Sequence, residues 1–382
     1  MKSLKLIFTN GRYFTPALLF LSLNVIFGTW AIYIPRITKN LDITEGKLGF
    51  AVFFLALGTL SMIPFAPKLI KSIGLGRVMA FSITAFCLSF IAPFAASSYS
   101  WLCASLYLVG ACSGLMDVTM NTLVTHIEKQ DKVQFMSLSH AFFSLGGMLG
   151  AGVGTFLIPI MPSAFVHMMV VVVLLLLLNI IFMKNYLKLR VIKPEKEESF
   201  KLKHLKPLLG LAIISFLVMA SEGAIVDWSA LYLERVTLAV AALLGLGYAV
   251  FNGMMAFGRF FGDSVSAHYG SRFIIICGCI IAAFGFGLVL SGMTWVAITG
   301  FGFVGLGLSV VVPELFRYCG NLKEIAAAEG ISFIAGSGFV GLLLGPVFLG
   351  FLAQTFDLRS SFFALLCFVA LAALLAFSLK RN

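Results

Sequence analysis

Two carboxylates, Glu222 and Asp227, lie within the apolar segment SEGAIVDWSALYL, residues 221–233. An acid in such a run is costly to bury, so it usually faces a polar cavity or an ionic partner. Glu222 could take up a proton or bind a polar group of a ligand. Asp227 lies five residues on, about 140° around an ideal helix, so the two acids do not share a face. Asp227 could instead pair with Arg36 or Arg235, or contact a ligand.

A third acid, Asp117, lies in the segment GLMDVTMNTLV, with Asn121 one helical turn away and able to hydrogen-bond its carboxyl group. His140 follows after a loop centred near residue 130, which predicts that Asp117 and His140 lie at similar depth on a helix hairpin. An Asp and a His within reach can pass a proton and shift each other's pKa. The alternative is structural, because Asn and His also connect helices packed through small residues.

Asn121 could also contact a ligand, as could three further side chains. Asn24 aligns with Glu222 when the chain is shifted by 198 residues. Asn252 lies at mid-depth in its own apolar segment. Trp228 aligns with Trp30 and could stack on the apolar face of a sugar ring, although both indoles also suit an aromatic belt at a membrane surface.

The elements that position these side chains are predicted by composition. The chain has 382 residues, of which 60% are hydrophobic and 11% charged, and its mean hydropathy is +1.04. Soluble domains carry roughly a quarter charged residues. Twelve apolar segments are long enough to span a membrane as helices, and they are too long for barrel strands. We therefore expect an all-α membrane protein with twelve transmembrane helices and no soluble catalytic domain.

The net charge of +11 does not indicate a nucleic-acid partner. If the N-terminus is cytoplasmic, most Lys and Arg residues fall in cytoplasmic loops, as the positive-inside rule requires. The sequence thus predicts a multi-pass protein of the plasma (bacterial inner) membrane with both termini in the cytoplasm.

One polar interruption, KNYLKLRVIKPEKEESFKLKHLK, divides the spans into two sets of six. It predicts an N-terminal six-helix bundle over residues 1–186, a cytoplasmic linker over 187–206 and a C-terminal six-helix bundle over 207–382. The halves repeat weakly, since LGFAVF aligns with LGYAVF at a shift of 198, and AFFSLGGMLGAGVG aligns with SFIAGSGFVGLLLG at a shift of 191. Two pseudo-symmetric bundles in parallel duplication are typical of transporters whose site lies between the repeats at mid-membrane.

The segment GRFFGDSVSAHYGSR, residues 258–272, resembles the loop between spans 2 and 3 of the major facilitator superfamily. The residues that carry this resemblance are Gly262, Asp263, Gly270 and Arg272. The chain resembles that superfamily over essentially its whole length, although the first-half copy, APKLIKSIGLGRV, lacks the acid. Two other segments, GLMDVTMNTLVTHIEK and MSLSHAFFSLGGMLGA, resemble an uncharacterised bacterial branch related to sugar permeases such as fucose permease. The resemblance implies gating by Gly262, Asp263 and Arg272.

Two more charged pairs could take part in gating by stabilising one conformation. Arg259 and Asp263 are four residues apart, and we expect them to pair at the cytoplasmic end of span 8. Glu314 and Arg317 are one turn apart near the cytoplasmic end of span 10, and a local salt bridge is expected there too.

The leading hypothesis is a monomeric secondary active transporter with alternating access, in which protons drive uptake of a small polar solute such as a sugar. Asp117, His140 and Glu222 would carry the proton, although sodium coupling stays open. One alternative is proton-coupled efflux of amphipathic or drug-like compounds, and another is a membrane sensor that transports nothing. No phosphate-binding loop supplies an ATP motor. The histidines and cysteines are scattered, and we expect no metal, no cofactor and no enzyme activity.

Overall fold

The computed structural model of the protein describes residues 8–189, 205–320 and 327–379. Within these, residues 137, 205–207, 262–268 and 327–329 are described by backbone alone. The chain divides into two compact units, Met1–Lys196 and Glu197–Asn382. The predicted linker, residues 187–206, falls largely outside the described residues, so its cytoplasmic placement stays a prediction.

The first unit contains eight α-helices among its described residues. They are α1 (Gly11–Asn40), α2 (Glu45–Met62), α3 (Ala66–Ile73), α4 (Leu75–Ser89), α5 (Ile91–Phe94), α6 (Tyr99–Asp131), α7 (Met136–Leu157) and α8 (Ala164–Phe182). Short 3₁₀ turns follow α2 and α8, at Ile63–Phe65 and Met183–Asn185. Several of these helices begin where a side chain accepts a hydrogen bond from a free backbone N–H of the first turn. The capping residues are Asn10, Thr44, Ser98 and Ser163.

The second unit contains seven α-helices in its described part. They are α9 (Leu205–Arg235), α10 (Leu246–Tyr269), α11 (Ser271–Val289), α12 (Thr294–Leu308), α13 (Val311–Gly320), α14 (Ala327–Thr355) and α15 (Leu358–Phe377). A 3₁₀ turn, Ala241–Leu243, precedes α10. Pro346 lies inside α14, and Asp357 caps α15.

Twelve segments of the described chain are long and apolar enough to cross a membrane. Six lie in each unit, and three of the twelve consist of two consecutive helices: α2 with α3, α4 with α5, and α12 with α13. No strand occurs among the described residues. The predicted all-α fold with twelve spans is therefore confirmed.

In the first unit, α1 packs along α7 at backbone contact distance. A Cβ atom added to Gly146 or Gly150 would collide with the carbonyl oxygen of Leu21 or Val25, respectively. Because lipid chains are as apolar as the helices, close contact between small residues supplies much of the attraction between spanning helices. These glycines are therefore required by the packing.

The second unit repeats this contact between α9 and α14. A Cβ atom on Gly341 would collide with the carbonyl of Phe216, and one on Gly345 would meet the carbonyl of Ala220 at 2.6 Å. The equivalence of the two helix pairs is thus defined by contacts as well as by sequence.

These contacts correct the alignment of the two repeats. Gly146 and Gly341 are 195 residues apart, and the residues that they contact, Leu21 and Phe216, are separated by the same number. A shift of 195 also relates Gly28, where a Cβ atom would meet the carbonyl oxygen of Gly147, to Gly223, where it would collide with the carbonyl oxygen of Leu342. Neither 198 nor 191 relates these two contacts, so for these helix pairs the shifts inferred from the sequence are wrong by three and four residues, about one helical turn in each case. Asn24 consequently corresponds to Met219 and not to Glu222.

Candidate functional site

The second unit contains an ion pair between two of its spanning helices. Glu222 lies near the middle of α9 and Arg259 near the middle of α10, with Arg259 Nη2 3.6 Å from Glu222 Oε1. Only 17% of the Glu222 side chain and 16% of the Arg259 side chain are exposed. A carboxylate and a guanidinium thus neutralise each other inside the helix bundle.

This position differs from the expectation that Arg259 lies at the cytoplasmic end of its span. The helix continues for almost three turns beyond Arg259 to Tyr269, which puts the guanidinium at the depth of Glu222. The predicted local pair with Asp263 involves a side chain outside the described part of the chain, so that pair stays a prediction.

The Glu222–Arg259 contact is longer than a typical charge-assisted hydrogen bond, in which N and O are about 2.7–2.9 Å apart. It is therefore an ion pair without the short geometry of a locked hydrogen bond. Removing one partner of a buried ion pair typically costs about 3–5 kcal/mol. The Glu222–Arg259 pair therefore makes the charge of either residue costly to change alone.

In the first unit, the hydrogen bond predicted for Asp117 is present. Asn121 Nδ2 donates to the Asp117 side chain at 3.2 Å and to the Asp117 backbone carbonyl at 2.9 Å. His140, on α7, packs edge-on against the ring of Phe20 with ring centroids 4.9 Å apart. Proton exchange between Asp117 and His140 stays a prediction.

Two of the side-chain amides that were predicted to bind a ligand form hydrogen bonds within the protein. Asn24 is fully buried, and its Nδ2 donates to the carbonyl of Phe143 on α7 at 3.0 Å. Asn252 is 2% exposed and donates to the carbonyl of Tyr248 on its own helix. Both amides donate to helix backbone in this conformation, and ligand binding by either one stays a prediction.

Trp228 and its predicted counterpart Trp30 have no exposed surface. Trp228 Nε1 donates to the carbonyl of Pro346 on α14 at 3.0 Å. The aromatic-belt interpretation is therefore wrong for both indoles, and stacking of Trp228 on a sugar would require a different conformation. Asp227, beside Trp228, is also buried, with 8% of its surface exposed.

A cluster that the sequence analysis missed joins the first turn of α1 to the last turn of α6. Arg12 contacts both carboxylate oxygens of Asp131, with Nε–Oδ2 at 2.7 Å and Nη2–Oδ1 at 3.1 Å. Tyr13 Oη donates to Asp131 Oδ2 at 3.0 Å, and Arg12 also donates to Gln130. An acid at the C-terminus of a helix interacts unfavourably with the helix dipole. The position of Asp131 in the sequence therefore already indicated a nearby cation.

The same end of α6 positions α7. Glu128 Oε1 accepts hydrogen bonds from the backbone N–H groups of Phe135 at 2.6 Å and Met136 at 2.8 Å. These N–H groups begin α7 and have no partner inside the helix. Asp131 and Glu128, on one turn of α6, therefore bind the first turns of α1 and α7, respectively.

Replacing Asp131 with Asn should destabilise the first unit by about 1 kcal/mol, because the bidentate pair is lost while its partly exposed position limits the effect. The measurement is the free energy of unfolding of the purified protein in nanodiscs. Asp42→Asn, the same change at an exposed position, is the matched control. Equal unfolding free energies for the two variants would contradict the prediction.

Glu314 and Arg317 form the local salt bridge that their spacing predicts, with Arg317 Nη1 2.6 Å from Glu314 Oε1. Glu314 is 2% exposed, and its Oε2 has no hydrogen-bond partner among the described residues.

Arg272 Nη2 donates at 2.6 Å to the carbonyl of Phe377, which links the start of α11 to the end of α15. The predicted gating residues Gly262 and Asp263 fall where only backbone is described. Gating by any of these residues stays a prediction.

No group of three or more His, Cys, Asp or Glu residues in the described part of the chain has a geometry that could hold a metal ion.

Comparison with known proteins gives consistent matches. Residues 17–327 match the family model described as Major Facilitator Superfamily. An uncharacterized transporter of Sinorhizobium fredii, y4wD, is 30% identical over 95% of this chain and 96% of its own length. A mutant of the nucleoside transporter NupG aligns with a TM-score of 0.77 at 12% identity, over 97% of this chain and all of that one. FucP, a transporter of the same superfamily solved in the outward conformation, aligns with a TM-score of 0.64 at 14% identity, over 98% of this chain and all of that one. The two solved structures share the fold.

Proposed function

The chain belongs to the major facilitator superfamily, and we propose that it is a secondary active transporter that couples proton entry to uptake of a small polar solute. As a multi-pass membrane transporter it is not an enzyme. We place it in the bacterial inner membrane as a monomer with both termini in the cytoplasm, because that orientation satisfies the positive-inside rule.

The observation that carries the proposal is the Glu222–Arg259 ion pair. In the empty carrier the two charges neutralise each other, so the bundle can change conformation without an unpaired buried ion. Protonation of Glu222 neutralises the acid and removes a negative charge that faces Arg259. That state is costly unless a polar or anionic group of the substrate pairs with the guanidinium.

Coupling follows from this charge balance. A proton without substrate removes the Glu222 charge and supplies nothing in its place, and substrate without a proton competes with Glu222 for the same cation. Each ligand therefore raises the affinity for the other, and thermodynamic linkage makes this effect reciprocal. We propose that the carrier changes conformation readily in two states only: empty, with the ion pair intact, and loaded with both a proton and a substrate that contacts Arg259.

Asp117 supplies a second acid in the first unit, supported by Asn121. We assign to it either a second proton site or a hydrogen-bond acceptor for the substrate. His140 lies on the neighbouring α7 and is the proposed exchange partner of Asp117. Asp227 and Asn252, being buried in this conformation, are assigned supporting roles.

The test is transport by purified protein in liposomes that enclose a pH-sensitive dye, using sugars, sugar acids and cationic drugs as substrates. The expected result is acidification of the lumen when an external sugar or sugar acid is added, and none in protein-free liposomes. Alkalinisation driven only by the cationic drugs would support proton-coupled efflux instead. Sodium-dependent uptake with no change in pH would show that proton coupling is wrong, and specific binding without flux would identify a sensor.

A further inference from the structure

Several exposed basic side chains lie together at one end of the spans of the first unit. Two are on α3, one is in the first turn of α4, and two are in or just after the 3₁₀ turn that follows α8. We refer to them as the basic surface, and they are Lys68, Lys71, Arg77, Lys184 and Lys188.

The backbone brings the two parts of the basic surface together. The N–H of Gly76 donates to the carbonyl of Leu189 at 3.0 Å, and a Cβ atom on Gly76 would collide with the carbonyl of Tyr186. The first turn of α4 therefore lies against the chain that carries the two lysines after α8. Gly74 makes the turn from α3 into α4 with a φ of +93°, a conformation that favours glycine.

No acid among the described residues pairs with the basic surface. Residues 46–116 and 132–194 contain no Asp or Glu. Within the described chain, the side chains of the basic surface form no ion pair and no hydrogen bond, whereas Arg12, Arg259 and Arg317 each pair with an acid. Positive charge concentrated in this way attracts anions.

Exposed apolar side chains continue from these cations along α4 and α8. Phe81 follows Arg77 by one turn and is 60% exposed, and Ile180 precedes Lys184 by about one turn and is 58% exposed. Residues one turn apart lie on the same side of a helix, so each cation stands at the end of an apolar face. A charged group followed by hydrocarbon is the order found in a phospholipid, and a free anion has no hydrocarbon to cover these faces.

The short helix α3 has the character of a helix that lies in the surface of a membrane. It buries Ile70 on one side, while Phe65, just before it, and Ile73 are exposed. The Nζ atom of Lys68 lies 5.6 Å from the centre of the Phe65 ring, within cation–π distance. Lysines on the polar side and exposed apolar side chains beside them are typical of helices that bind anionic lipid surfaces.

We propose that the basic surface binds the headgroup of an anionic phospholipid, whose acyl chains lie along the exposed faces of α4 and α8. Arg77 contacts the phosphate through two N–H groups of its planar guanidinium, and the lysines add positive charge around it. The inference is independent of the proposed transport function, because lipid binding requires neither a substrate nor an ion gradient.

The test uses a fluorescent reporter at the proposed acyl-chain position. The full-length variant Phe81→Trp is placed in phosphatidylcholine nanodiscs that contain increasing fractions of phosphatidylglycerol brominated near the start of its acyl chains. Phosphatidylcholine brominated at the same carbons is the comparison, and wild type gives the background from the native Trp residues. Brominated phosphatidylglycerol should quench the reporter to half at a mole fraction about fivefold lower than brominated phosphatidylcholine.

Charge variants of the reporter protein test the residues. Arg77→Gln/Lys184→Gln should remove the preference for phosphatidylglycerol. Lys39→Gln/Lys47→Gln removes the same charge at the opposite ends of α1 and α2, and as the matched control it should keep the preference. If the first variant does not fold, Lys68→Gln/Lys188→Gln decides, with an expected loss of most of the preference.

Three results would overturn the proposal. Equal quenching by the two brominated lipids would show that no anionic lipid is selected at this position. An equal loss of preference in the site variant and the matched control would show a general effect of net charge. Glycerol phosphate, added at constant ionic strength and at the concentration of the brominated lipid, should not restore the fluorescence, because it supplies no acyl chains. Full restoration would show that the basic surface binds a free phosphate group instead.

Discussion

Glu222→Gln should abolish proton-driven accumulation of substrate while preserving the exchange of internal for external substrate. Gln imitates the protonated acid, so the loaded carrier, in which the substrate contacts Arg259, still changes conformation. The empty carrier must return without the Glu222 charge of the buried pair, and losing one partner of such a pair costs about 3–5 kcal/mol. Net uptake should therefore fall by about 10²–10⁴-fold.

The measurement compares pH-driven uptake with radiolabelled exchange in the same liposomes. Glu234→Gln, the same chemical change near the end of the same helix, is the matched control and should transport like wild type. Uphill accumulation by Glu222→Gln at the wild-type level would rule out this acid as the coupling site.

The architecture was predictable because it depends on properties that a sequence displays locally. A spanning helix needs about 20 consecutive apolar residues, and that requirement identifies all twelve spans without knowledge of their packing. Glu314 and Arg317 were predictable for the same reason, since residues three apart on a helix are neighbours whatever surrounds them.

The register of the repeat was not predictable, for a physical reason. The glycines of the packing stripes recur every four residues, as Gly146 and Gly150 do, so an alignment displaced by one turn matches almost as many glycines. Only the contacts with the facing helix fix the register. This error made Asn24 the counterpart of Glu222.

The partners of the charged residues depend on contacts between distant segments. Arg259 is four residues from Asp263 in sequence, and a local pair was the natural prediction, whereas its described partner Glu222 comes from a different helix. Arg259 was expected at the cytoplasmic end of its span, but α10 continues to Tyr269. Arg12 and Asp131 are 119 residues apart and were missed for the same reason.

Gly341→Leu should disrupt the second unit, and it tests the packing that holds the coupling helix in place. The first side-chain atom would collide with the carbonyl of Phe216, and a backbone carbonyl cannot move aside as a flexible side chain can. Overpacking costs about 1–3 kcal/mol, and more where the backbone must shift, so α9 and α14 must separate. We expect a large fall in thermal unfolding temperature in nanodiscs and aggregation on size-exclusion chromatography.

Gly336→Leu makes the same change five residues away on the same helix, where a Cβ atom meets no atom within 4 Å, and it should unfold like wild type. Equal unfolding temperatures for the two variants would show that the α9–α14 contact does not determine the stability of this unit.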